Sequence, residues 1–273
     1  MFEIPKIQLP TPEEAVQIRK DKYKSASECL ENMSYWLPKV EASSARDVSS
    51  LQIPFTKTIT LNLETYEWLL SDNYTQETIQ EFNQSIIEDL GDFLIDQKLF
   101  IKTGNFSNKF QFKNTVVSDR EKLGKQFLNI YYDAMCFGVP DSNEIVIREY
   151  IEDKEDRPTI YSGMPLHTEF RVFYDFDIDE PIGISNYWHP DEMLEWLSEP
   201  DLTSYKSIKD TIVSDFNKYK KNVVLQVSIL MQGVTSLKGK WSIDVMKNGE
   251  DFWIIDMARM ERSALVNKME SLT

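Results

Sequence analysis

The 273 residues suffice for one large domain or two ordinary ones, and a 41% apolar share with 12% aromatics supplies a full core. With 45 acidic against 30 basic residues the net charge is −15, which repels phosphate backbones at long range and argues against nucleic acid as a partner. Cys29 and Cys136 are far apart, without CxxC or Cys/His spacing, which argues against a disulfide framework or a structural zinc site and fits a reducing cytoplasm.

In chain order, Met1, Phe2, Glu3, Ile4 and Pro5 form no basic-then-apolar leader, and no stretch approaches the ~20 apolar residues of a membrane span, so a soluble protein free of membrane is expected. Thr11, Pro12, Glu13 and Glu14 combine a capping hydroxyl, a first-turn proline and acids at the positive end of a helix dipole; they predict a helix over 11–34, with Pro38 ending the region. The serine-rich stretch 41–50 reads as a connector to a strand over 53–63. Ile79, Phe82, Ile86, Ile87, Leu90, Phe93 and Leu94 recur at helical spacing and predict an amphipathic helix over 75–95. A strand over 99–103 leads through a polar loop to another over 110–112, and Leu123, Phe127, Ile130, Tyr131 and Ala134 mark a helix stopped by Gly138, Val139 and Pro140. Strands follow over 144–151, 166–176 and 181–187, then a helical insertion over 190–219, then strands over 223–231, 240–246 and 251–257. The pattern is α+β, with mostly antiparallel pairing in the C-terminal half.

The familiar phosphate signatures are missing. Gly233 and Gly239-Lys240 come nearest to a P-loop, but the spacing is too long and Trp241 stands where serine or threonine is needed. Neither GxGxxG nor GxSxG occurs, and His167 and His189 are too few for a histidine-rich metal site. What remains is charge inside apolar strands, costly unless something binds it. Strand periodicity places Glu169 and Arg171 on one face, opposite Phe170, Val172 and Tyr174; Arg148 likewise opposes Ile147, Glu149 and Ile151. Asp244 and Asp256 lie on two strands joined near Asn248 and Gly249. A three-residue loop of Lys247, Asn248 and Gly249 puts both aspartates on one face, a two-residue Asn-Gly turn puts them on opposite faces, and propensity does not choose. Internal ion pairs and turn aspartates are the plain structural readings of the same residues.

Taken in order, Phe100, Ile101 and Lys102 with Ser107, Asn108 and Lys109, then residues 146–151, then Glu169, Phe170 and Arg171, then Asp244 and Asp256, resemble the ATP-grasp superfamily over roughly residues 97–262. The look-alikes are its clade marked by two arginines and a lysine, and the eukaryotic cell-division-cycle proteins that act as translation-factor assembly chaperones. The resemblance implies an ATP-grasp fold whose two lobes, with mostly antiparallel sheets, clasp the nucleotide over 96–273, carrying the insertion 190–220 and preceded by an α/β region over 1–95.

It implies further that Lys102 touches the adenine edge or the α-phosphate, and that Ser107 and Lys109 sit on a mobile loop over the phosphates. Arg148 and Glu149 would belong to an interlobe strand whose backbone at Tyr150 and Ile151 meets adenine. Arg171 would stabilise the γ-phosphate and the charge that develops as it transfers, the catalytic role, while Asp244 and Asp256 would hold Mg²⁺. The family often has asparagine two residues after the last metal carboxylate; here it is Ala258, followed by Arg259, so a metal ligand is missing unless Arg259 and Glu261 compensate, and residues 257–261 read equally as an ordinary connection out of the last strand. His167 and His189 are expected on the surface or behind the site. The implied activity is ATP-dependent carboxylate–amine ligation, forming ADP, on a small-molecule or polypeptide acceptor. The alternative is an ATP-bound assembly chaperone or clasp with little turnover, and the acidic charge argues against an RNA-directed ligase.

Overall fold

The Thr11 N–H donates to the Glu14 carboxylate while the Thr11 hydroxyl accepts from the Glu14 N–H, and this reciprocal cap starts helix α1 (Pro12–Ser27). The computed structural model of the chain describes residues 10–43, 45–91, 93–94 and 96–272, so residues 1–5, read above for a leader, lie outside them. The helix expected over 11–34 ends early: residues 28–32 turn, and α2 (Met33–Glu41) follows with Pro38 inside it. Pro38 has no N–H for the Ser34 carbonyl, and burial of Trp36, Leu37 and Val40 holds the helix across that missing bond.

In place of one strand over 53–63 the chain forms β1 (Leu51–Gln52) and β2 (Thr56–Thr60), divided at Pro54, before α3 (Leu63–Ser71). Helix α4 (Gln76–Leu90) buries Phe82, Ile86 and Leu90; of the expected continuation to 95, residues 92 and 95 lie outside the described residues. Strand β3 (Leu99–Thr103) then leads not to a strand over 110–112 but to a 3₁₀ turn, Lys109–Asn114, entered through Asn108 at φ 47°, a left-handed backbone no strand accommodates. Next come β4 (Val116–Val117), α5 (Leu123–Cys136), β5 (Glu144–Glu149), the small hairpin β6 (Thr159–Ile160) and β7 (Met164–Pro165), and the long pair β8 (Glu169–Asp175) and β9 (Glu180–Asn186). Helix α6 (Pro190–Trp196) precedes α7 (Asp201–Gln232), then β10 (Lys240–Asn248), β11 (Asp251–Arg259) and β12 (Glu270–Ser271). The strand expected over 223–231 is the last part of α7, because Val223, Val227, Leu230 and Met231 are buried at helical spacing.

These elements make a mixed helix-and-sheet fold with mainly antiparallel sheets. One sheet has the order β2-β5-β3-β4; the other runs β1-β11-β10-β8-β9-β12, with only β1 and β11 parallel. Leu99, Ile101, Ile145 and Ile147 pack one face of the smaller sheet on α3, α4 and α5. Phe170, Val172, Tyr174, Ile243, Val245 and Ile254 pack the larger sheet on α7 and α2. The first 95 residues feed both bodies: β1 lies on β11, β2 lies on β5, and α3 and α4 close the smaller core. Among the described residues no helix is long and apolar enough to cross a membrane.

Candidate functional site

The β10–β11 hairpin pairs Asn248 with Asp251, so Gly249 and Glu250 form the turn and neither turn weighed from the sequence is used. Pairing proceeds to Val245 with Ile254, then slips: Asp244 pairs with Asp256, and Ile255 is skipped. Without this bulge Asp244 would oppose Ile255, and the two aspartates would point to opposite faces. With it, Ile254 and Met257 enter the core while Ile255 and Asp256 line the cleft. Arg148, on β5 of the other sheet, fastens the irregular stretch. Its Nη1 donates to the Ile255 carbonyl, its Nη2 to the Ile254 carbonyl at 3.3 Å, and its Nε to Thr56 Oγ1 at 2.9 Å.

Two ion pairs line the same wall. Arg171 grips Asp244 in a fork, Nε to Oδ1 and Nη2 to Oδ2 at 2.8 Å each, and its Nη1 reaches the Ala264 carbonyl at 3.1 Å. Lys102, on β3, crosses from the smaller sheet to Asp256 Oδ2 at 2.8 Å; its side chain is 1% exposed and that of Asp256 30%. Glu169 faces the cleft beside them, accepting from the Trp188 indole at 3.2 Å. Burial drives the Glu169 carboxyl up to about 7 and pulls Arg148 down to about 10.

The loop over 104–115 closes one side. It leaves β3 at Gly104, where a Cβ would meet Ser142 Oγ at 2.5 Å, Asn32 Oδ1 at 2.6 Å and Glu144 Oε2 at 2.9 Å, so only glycine fits. Asn108 ties the loop to α5 through Asp133 at 2.8 Å. Ser107 and Lys109 line the cleft, and the Lys109 ammonium contacts the Tyr187 hydroxyl. Burial lowers Lys109 to about 8, with Glu169 opposing the shift.

The cleft, counting the part open to solvent, has an empty volume of about 900 Å³. Lys102, Ser107, Lys109, Arg148, Glu149, Tyr150, Ile151, Asp244 and Asp256 all line it, and Arg171 stands behind Asp244. Its apolar lining comes from Pro54, Phe100, Phe112, Met164 and Met246. The Tyr150 N–H is taken by the Lys98 carbonyl at 3.2 Å, and the Glu149 carboxylate holds the Phe55 N–H at 2.8 Å. His167 is buried and lines the cleft, whereas His189 caps α6. Arg259 and Glu261 pair with each other beside a separate surface depression, away from the aspartates. Among the described residues no group of three acids, histidines or cysteines could hold a metal. Tyr187 is a lining residue that sequence reasoning missed, since an uncharged aromatic at a strand end gives no signal.

No family model matches the sequence, and no curated protein matches it. Among solved structures, the chain is similar to Cdc123 from Schizosaccharomyces pombe, at 15% identity over 93% of this chain and 94% of that one, with a TM-score of 0.49. It is also similar to D-alanine–D-alanine ligase from Bacillus anthracis complexed with ATP, at 10% identity over 86% of this chain and 57% of that one, TM-score 0.38. A third is a RimK domain protein ATP-grasp from Sphaerobacter thermophilus, at 8% identity over 89% and 64%, TM-score 0.38. The chain covers less than two thirds of each of those two bacterial proteins.

Proposed function

We propose that the chain is an ATP-grasp protein that binds Mg-ATP between its two sheets and acts as an ADP-forming carboxylate–amine ligase. The observation that carries this reading is the pairing of Asp244 with Asp256 on the cleft wall, each 2.8 Å from a cation, Arg171 and Lys102. Magnesium usually takes one or two protein carboxylates and completes its shell with water and phosphate, so the two aspartates suit it. When bound, the ion neutralises and orients the phosphates. Lys102, Lys109 and Arg171 then supply positive charge to a triphosphate, and Lys102 and Arg171 exchange their aspartates for phosphate, which keeps those charges paired. The apolar lining suits a purine ring, with the Tyr150 carbonyl and the Ile151 N–H as its edge partners. In the ligation, a carboxylate oxygen takes the terminal phosphoryl group as ADP leaves, and an amine then displaces phosphate to form the amide. Arg171 stabilises the charge that develops in transfer. The two free cysteines, Cys29 and Cys136, are in keeping with a cytoplasmic location.

A second reading, an ATP-bound clasp with little turnover, is favoured by one observation. Ala258, two residues beyond Asp256, pairs with Ser242 and adds no ligand to the aspartate pair. Thermal unfolding with ATP, with and without Mg²⁺, tests the common core of both readings: a ligand at a hundred times its Kd adds about 2.7 kcal/mol. An unmoved transition at millimolar Mg-ATP excludes both. ADP release in the presence of mixed amino acids then separates ligase from clasp.

A further inference from the structure

Tyr187 directly follows β9, its N–H fixed to the Glu169 carbonyl at 3.0 Å. Two cations approach its ring: Arg171 Cζ lies 4.5 Å from the ring centre, and Lys109 Nζ lies 4.0 Å from it, at the hydroxyl rim. The hydroxyl contacts the Lys109 ammonium as well. Trp188 stands edge-on to the ring, centroids 4.8 Å apart at 70°, and is itself fixed by its indole bond to Glu169. One aromatic side chain thus joins a lysine from the loop of the smaller sheet to an arginine from the larger sheet. Like charges brought this close repel, and the hydroxyl oxygen at Lys109, with the electron-rich ring beside Arg171, offsets that repulsion.

We infer that Tyr187 is a positioning residue that holds Lys109 and Arg171 at a set separation, and holds the loop over 104–115 down, before any phosphate arrives. The inference rests on the proposed nucleotide reading for its purpose, though not for the contacts themselves. A phosphate chain entering the cleft finds its cations already placed, and the cost of ordering the loop is met in the free protein rather than at binding.

The test compares wild type with Tyr187→Phe, Tyr187→Leu, and pentafluorophenylalanine at the same position, which keeps the ring's shape while reversing its charge distribution. Two measurements are made: Mg-ATP affinity by calorimetry, and hydrogen exchange of residues 106–114 in the nucleotide-free protein. Tyr187→Phe should lose about threefold in affinity, because the hydroxyl at Lys109 is gone while the ring beside Arg171 remains. Tyr187→Leu and the fluorinated ring should each lose about tenfold in affinity and speed exchange in the loop. In a Lys109→Ala background the further loss from Tyr187→Leu should shrink to less than about threefold, since half of the bridge is already gone. Wild-type affinity and exchange in the fluorinated protein, or losses that simply add in the double variant, would overturn the inference. If Tyr187→Leu does not fold, the fluorinated ring decides. If wild type fails to bind Mg-ATP, the nucleotide reading fails while hydrogen exchange still decides whether Tyr187 pins the loop.

Discussion

Arg148 donates to the carbonyl of Ile255, the residue of β11 that the register with β10 skips. A bulge leaves backbone groups without ladder partners, and the guanidinium of a buried arginine meets that demand with donors spread in one plane. Lysine has no such fork. Arg148→Lys should therefore cost about 1.5–3 kcal/mol in urea unfolding, the range for a lost hydrogen bond to a charged group. It should also abolish the Mg²⁺-dependent part of any ATP stabilisation, because a relaxed bulge rotates Asp256 from the wall. Retention of both would show that the bulge holds itself.

Lys102 and Asp256 differ in their access to water, 1% against 30% of the side chain. Removing the aspartate strands a buried ammonium, whereas removing the lysine leaves a carboxylate that water reaches. Asp256→Ala should cost about 3 kcal/mol, and Lys102→Met about 1 kcal/mol, in chemical denaturation. Equal losses would contradict the burial argument.

The cleft's pH dependence has a defined sign. Glu169, raised by burial to about 7, holds its proton more tightly when folded than when unfolded, so its contribution to stability falls as pH rises from about 4.5 to about 7. Lys109, lowered by burial to about 8, gives the opposite limb: stability recovers from about pH 8 towards ~10.4, the ordinary lysine value. The pair burdens the fold most between those limbs. Stability curves for Glu169→Gln should lack the acidic limb and those for Lys109→Met the alkaline one, each read as a difference from wild type. A difference that stays flat with pH would refute the assignment.

Gly104 is hemmed in by three side-chain oxygens at 2.5–2.9 Å from any added Cβ. Gly104→Ala forces Ser142, Asn32 or Glu144 aside, in a network that also includes the Glu144–Ser34 contact. The expected cost is about 1–3 kcal/mol, measured as a lowered urea midpoint, with the loop carrying Ser107 and Lys109 displaced.

Much of this was legible in the letters because period and charge point the same way. In β8 the alternation of Phe170, Val172 and Tyr174 with Glu169 and Arg171 sorts core from cleft directly. Where the signals conflict, local reading fails. The β-branched Val223, Val224 and Val227 suggest a strand, but their spacing continues a helix already begun at Asp201. Phe110 and Phe112 suggest another, but Asn108 turns the backbone left-handed before them. The facing of Asp244 and Asp256 depends on a one-residue slip that no propensity encodes, and Tyr187 becomes visible only once two distant cations meet its ring.

Between β1 on the larger sheet and β2 on the smaller, only residues 53–55 intervene, with Pro54 among them lining the cleft. Four peptide steps span at most about 14 Å, and proline stiffens one of them. The two bodies are thus tethered at this edge, as a book is at its spine. On this side the two bodies can part no further than that span, so any wider separation has to come at the margin away from Pro54.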